Sequence, residues 1–146
     1  MMRKKIKLLL LIAWMLLIFY MSSCNGESSS GMSSGLLLMI ARFLNIKDAV
    51  TFVANYSFII RKLAHFSEFF ILGLLMYINI KNISSISILI SIVLCFLYAL
   101  SDEIHQLFVS DRVFALFDIM IDTLGSITGV CLTNLIMKRC FQEKKH

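Results

Sequence analysis

Four apolar runs decide what this chain can become: Leu8 to Met21, Phe58 to Ile80, Ile83 to Leu100 and Phe114 to Met137. A segment in hydrocarbon finds no water for its backbone N–H and C=O groups, so it must satisfy them internally, as a helix does. About 17 to 25 such residues cross a ~30 Å core. The sequence therefore predicts an all-α integral membrane helical bundle with four transmembrane helices, at about residues 6–23, 58–80, 83–101 and 114–137. Only 16% of the 146 residues are charged, against ~25% in soluble domains. No polar stretch between the runs is long enough to hold a water-soluble core, which predicts one membrane domain over residues 1–146.

The first run is the shortest. Preceded by Arg3, Lys4, Lys5 and Lys7 and followed by Ser22-Ser23-Cys24, it has the layout of a leader with a lipoprotein cleavage site. Met21 fits poorly three positions before that cysteine, and the downstream chain is itself apolar, so an uncleaved anchor is the reading. From Asn25 to Gly35 the composition turns to Ser and Gly, which predicts a flexible extramembrane loop. Leu36 to Tyr56 mixes apolar residues with Arg42, Asn45, Lys47, Asp48 and Asn55 and reads as a short segment at the membrane interface. The linker Lys81-Asn82 makes the second and third spans antiparallel neighbours. Gly73, the serines Ser84, Ser87 and Ser91, and the pattern Gly125-Ser-Ile-Thr-Gly129 permit close helix approach.

The net charge of +5 does not point to nucleic acid, because the cations cluster at span ends and are not interleaved with stacking aromatics. Placing the N-terminus in the cytoplasm puts nine Lys and Arg on that side, including Lys138, Arg139, Lys144 and Lys145 after the last run. It leaves five (Arg42, Lys47, Arg61, Lys62 and Arg112) outside. The expectation is a multi-pass cell-membrane protein with both termini cytoplasmic, whose basic ends also favour anionic membrane lipids. Cys24, Cys95, Cys131 and Cys140 have no metal-site spacing and predict no disulfide.

Eleven polar or ionisable residues interrupt the apolar pattern. They are Arg61, Lys62, His65 and Glu68 in the second span; Asp102, Glu103, His105 and Gln106 after the third; and Arg112, Asp118 and Asp122 at the fourth. Charges in lipid cost about 2.5 to 3.5 kcal/mol each on insertion scales, so these mark a site. In the N-in topology all three groups reach the outer leaflet. Arg61, His65 and Glu68 fall at i, i+4 and i+7, Asp118 and Asp122 at i and i+4, and Asp102, His105 and Gln106 share a face if the third helix extends that far.

These residues carry a resemblance. Arg61-Lys-Leu-Ala-His-Phe-Ser-Glu68, Tyr98-Ala-Leu-Ser-Asp-Glu-Ile-His-Gln-Leu-Phe108, Arg112 and Asp118-Ile-Met-Ile-Asp-Thr-Leu-Gly125, in this order, resemble the VanZ-like family of small bacterial membrane proteins. Trp14, Phe19 and Ser22-Ser23 resemble that family's first helix and loop. The chain departs from the pattern at Cys24, where Gln is frequent, at Phe69 or Phe70 (Tyr), and at Ser110-Asp111 (Pro-Gly). The resemblance implies a role in the cell envelope and, from the founding member, resistance to teicoplanin, a lipid-tailed glycopeptide antibiotic. It supplies no reaction.

Three readings of the eleven residues remain open on sequence. Arg61, Lys62 and Arg112 suit an anionic group on an amphiphile, a lipid phosphate or a drug carboxylate, since guanidinium meets such groups with paired hydrogen bonds. His65 with Glu68, Glu103 with His105, and the Asp118/Asp122 pair suit an intramembrane hydrolase or transferase acting on an envelope lipid, and His65, His105, Asp118 and Asp122 are of metal-ligand type. Alternatively the set is an ion-pair scaffold that fixes helix register. No cofactor motif is present.

Overall fold

The computed structural model describes residues 2–81 and 86–143. Asn82 of the expected linker, Ile83 and Ser84 at the expected start of the third span, and Lys144 and Lys145 lie outside them. Five helices follow in order: α1 (Met2–Ser22), α2 (Gly26–Phe43), α3 (Ala49–Ile80), α4 (Ser87–Gln106) and α5 (Leu116–Glu143). Four of them, α1, α3, α4 and α5, are long and apolar enough to cross a membrane. The chain is a membrane helical bundle. Its large exposed apolar side chains, among them Leu9, Leu16, Leu89, Met120 and Leu124, cover the outer surfaces, where lipid in place of water removes their cost.

The segment read as a flexible loop is a helix. Serine and glycine content argued against order, yet both ends of α2 are capped. Asn25 accepts the Ser28 N–H at 2.8 Å, Glu27 lies in the first turn where the helix dipole favours an anion, and the far end closes in a Schellman turn. There Ile46 N–H donates to Ala41 O and Asn45 N–H to Arg42 O, with Asn45 at φ 53°. Leu37 and Ala41 are buried, so α2 is a packed element.

The second span begins earlier than expected, at Ala49. Asp48 caps it by accepting the Thr51 N–H at 3.1 Å, and hydrogen bonding to Thr51 holds its carboxyl below the usual aspartate range. At 32 residues, α3 is about 48 Å long, well beyond a ~30 Å core. The polar residues between 42 and 56 thus divide between the end of α2, a turn and the projecting start of α3. The third span, described as α4 over Ser87–Gln106, runs about one turn further than expected at its end.

The core joins Leu11 and Ile18 of α1, Phe69, Leu72, Met76 and Ile80 of α3, Cys95 and Ala99 of α4, and Ile119 of α5. Three polar side chains of the bundle hydrogen-bond across helices. Trp14 Nε1 donates to Glu68 O at 2.9 Å, Tyr98 OH to Met15 O at 2.7 Å, and Tyr77 OH to Asn134 Oδ1 at 2.8 Å. The seam between α3 and α5 is the closest. A Cβ on Gly73 would collide with Ser126 O, one on Gly125 with Phe66 O, and one on Gly129 with Phe70 O. With α3 held this way against α5 and α1 against both α3 and α4, the polar residues of three helices meet at one end of the bundle.

Candidate functional site: a cavity walled by α2

That end contains a cavity of about 170 Å³. Of the eleven polar residues, Arg61, His65, Glu68, Asp102, Gln106 and Arg112 line it, joined by Ser22 from the end of α1 and by Ser29, Met32, Ser33 and Leu36 of α2. The α2 residues fall at i, i+3, i+4 and i+7, so one face of that helix forms the wall. Serine content as composition does not reveal this contribution, because the i, i+3, i+4, i+7 period forms a face only once the segment is a helix.

On α4, Ser87, Ser91, Cys95, Ala99, Asp102 and Gln106 are all buried, a stripe at helical spacing that ends in the cavity. Gln106 Nε2 donates to Asp102 Oδ2 at 3.1 Å. His105 does not share that face. Its ring stacks on Phe19 of α1 with centroids 4.4 Å apart, and its Nε2 lies 3.1 Å from Ser23 Oγ. Glu103 is 1% exposed and works as a clamp, its Oε1 accepting the Ala115 N–H at 2.6 Å at the start of α5. A carboxylate suits a helix N-terminus, where unpaired N–H groups and the dipole converge.

The charged residues of α3 divide by face. Lys62, next in sequence to Arg61, points away from the cavity and pairs with Asp118 of α5, with its ammonium 5.0 Å from the Phe58 ring centroid and 5.8 Å from that of Phe117. It faces a separate, nearly apolar groove with Leu63 and Phe66. His65 Nδ1 lies 3.4 Å from Oδ1 of Asp122, which is 1% exposed. That separation is long for a hydrogen bond, and both atoms lack one. Ser22 Oγ, Asp102 Oδ1 and Glu103 Oε2 are likewise buried short of a full hydrogen bond, with the Ser22 hydroxyl facing the Asp102 carboxyl.

The metal-ligand types do not gather. His65 faces Asp122, Asp118 is paired with Lys62, and His105 is turned to α1. Among the described residues no group of three or more His, Cys, Asp or Glu side chains has a metal-holding arrangement, so these four do not fit a shared ion.

The loop between α4 and α5 returns to the end of α1. Arg112 Nε and Nη2 donate to Cys24 O at 3.4 and 3.3 Å, and Gly26 N–H donates to Ser110 O at 3.2 Å. Asp111 takes φ 61°, the left-handed conformation that glycine adopts without strain. Matched to the VanZ/LLP1 family over residues 7–137, the whole arrangement falls within the family's extent. The chain belongs to the VanZ/LLP1 family. No curated protein and no solved structure matches it. In this VanZ/LLP1 chain Asp111, at the position where the pattern quoted above has glycine, takes a left-handed conformation that glycine would adopt without strain.

Proposed function

We propose that this VanZ/LLP1 protein receives the polar head of an envelope amphiphile in the α2-walled cavity, from the outer leaflet. The observation that carries the reading is the state of the lining. Arg61 has no hydrogen bond or ion pair among the described residues, Arg112 hydrogen-bonds only a carbonyl, and the buried Ser22 hydroxyl and Asp102 carboxyl face each other without closing a full hydrogen bond. Such atoms are costly inside a protein unless a ligand or water meets them. The excess of Lys and Arg at the other end of the bundle favours the N-in orientation, with the cavity outside.

Size narrows the occupant. At about 170 Å³ the cavity is smaller than the ~300 Å³ where sites for drug-sized ligands begin, which favours a lipid head group over the core of a glycopeptide. Resistance to a teicoplanin-type drug is then a consequence of envelope lipid handling. Two measurements test this: drug susceptibility of cells expressing the parent or Arg61→Gln, and binding of short-chain phospholipids to both proteins in nanodiscs. The parent is expected to raise tolerance and bind lipid, and the variant to lose both. A variant that inserts normally and performs as well as the parent refutes the site.

One observation favours a second reading, an intramembrane hydrolase or transferase. His65 lines the cavity while its Nδ1 faces buried Asp122, the arrangement in which a carboxylate orients a histidine base. Turnover of an envelope lipid by purified protein, abolished by His65→Gln, would establish it.

A further inference from the structure

Two guanidinium groups and two carboxyl groups share the cavity without touching. Arg61 and Arg112 line it together with Glu68 and Asp102. The ion pairs among the described residues are Lys62–Asp118 and His65–Asp122, so neither arginine closes on either acid. Long side chains of opposite charge in a poorly solvated space gain by closing up, because attraction grows as distance and dielectric fall. Here the fold holds them apart across the cavity.

The unspent hydrogen-bonding capacity is also sorted by depth. Arg61 and Glu68 are seven residues apart on α3, about 10 Å along its axis. Arg112 lies in the loop beyond α4, whereas Asp102 lies one turn inside the end of that helix. Guanidinium N–H donors, all of those on Arg61 and those on Arg112 not given to Cys24 O, therefore lie toward the outer ends of the helices. Carboxyl oxygens with capacity to spare sit deeper, where Asp102 Oδ2 is spent on Gln106 and Oδ1 closes no full hydrogen bond, with only the Ser22 hydroxyl facing the carboxyl.

Resting on the head-group reading above, we infer that the cavity selects a zwitterionic group with an anion outermost and a primary ammonium innermost. The phosphoethanolamine head has this chemistry. Its phosphate would meet Arg61 and Arg112, and its three N–H donors would serve Glu68, Asp102 Oδ1 and Ser22. A phosphocholine head carries the charge without the donors. A phosphoglycerol head carries the phosphate without the cation.

Native mass spectrometry of the full chain with short-chain phosphatidylethanolamine, phosphatidylcholine and phosphatidylglycerol tests this. The ethanolamine lipid should bind about tenfold more tightly than the other two, the scale of a charge-assisted hydrogen bond. Asp102→Asn, which keeps the shape, should abolish the preference; should it fail to fold, Glu68→Gln makes the same test. Equal binding of all three lipids, each weakened by Arg61→Gln, overturns the zwitterion and leaves the head-group reading standing. Binding of none of them above that of Arg61→Gln overturns both. With the preference present, competition by free phosphoethanolamine assigns recognition to the head alone, and failure to compete assigns it to the membrane lipid.

Discussion

At the scale of single residues, the site separates side chains that hold the fold from those that face the cavity. Glu103 belongs to the first kind, because its carboxylate caps α5 through Ala115 N–H. Glu103→Ala should lower stability in detergent by ~1 kcal/mol, the usual loss for a capping residue. Glu103→Gln, which retains an acceptor oxygen, should recover part of it in the same thermal melts. Asp111 offers a gain: Asp111→Gly removes the strain of a side chain at φ 61° and should raise stability by roughly 1 kcal/mol. Sequence identified these polar residues because charge in an apolar chain is conspicuous. Helical spacing already set Arg61, His65 and Glu68 on one stripe apart from Lys62, the ~100° between neighbours on a helix deciding between the cavity and the apolar groove; it could not place His105, which turns to α1.

At the scale of elements, spans were readable and ends were not. Apolar runs report where lipid contacts a helix. They do not report where the helix continues in water or under a lid, which Asn25, Asn45 and Asp48 determine through caps. The glycines give opposite predictions on two helices. In α2, a Cβ at Gly31 or Gly35 meets nothing within 4 Å, so Gly31→Ala and Gly35→Ala should each stabilise the protein by about 0.5 to 1 kcal/mol through helix propensity. In α5, Gly129→Ala drives a methyl into Phe70 O. That change should force α3 and α5 apart, seen as a lower melting temperature and reduced yield of the monodisperse protein.

At the scale of the whole molecule, four apolar helices fix a bundle and the basic residues argue its direction. In a background without native cysteines, Ser110→Cys at the cavity end should react with a membrane-impermeant thiol reagent on intact cells, and Lys138→Cys should be protected until the cells are lysed. The reverse pattern inverts the topology. The helix count and order were legible because each run exceeds or approaches a bilayer's thickness. The cavity was not, because it depends on α2 packing against α3 and closing a space lined also by the ends of α1 and α4. Composition alone concealed that helix.

The unusual length of α3 has a metrical consequence. Arg61 lies nineteen residues before Ile80, about 28 Å along the axis, close to one hydrocarbon thickness. A thicker bilayer would draw the guanidinium below the head groups at a cost of up to about 2.5 to 3.5 kcal/mol, and a thinner one would lift it clear of them. The same helix that positions the cavity mouth thus also acts as a gauge, and the protein should partition between membranes according to their thickness.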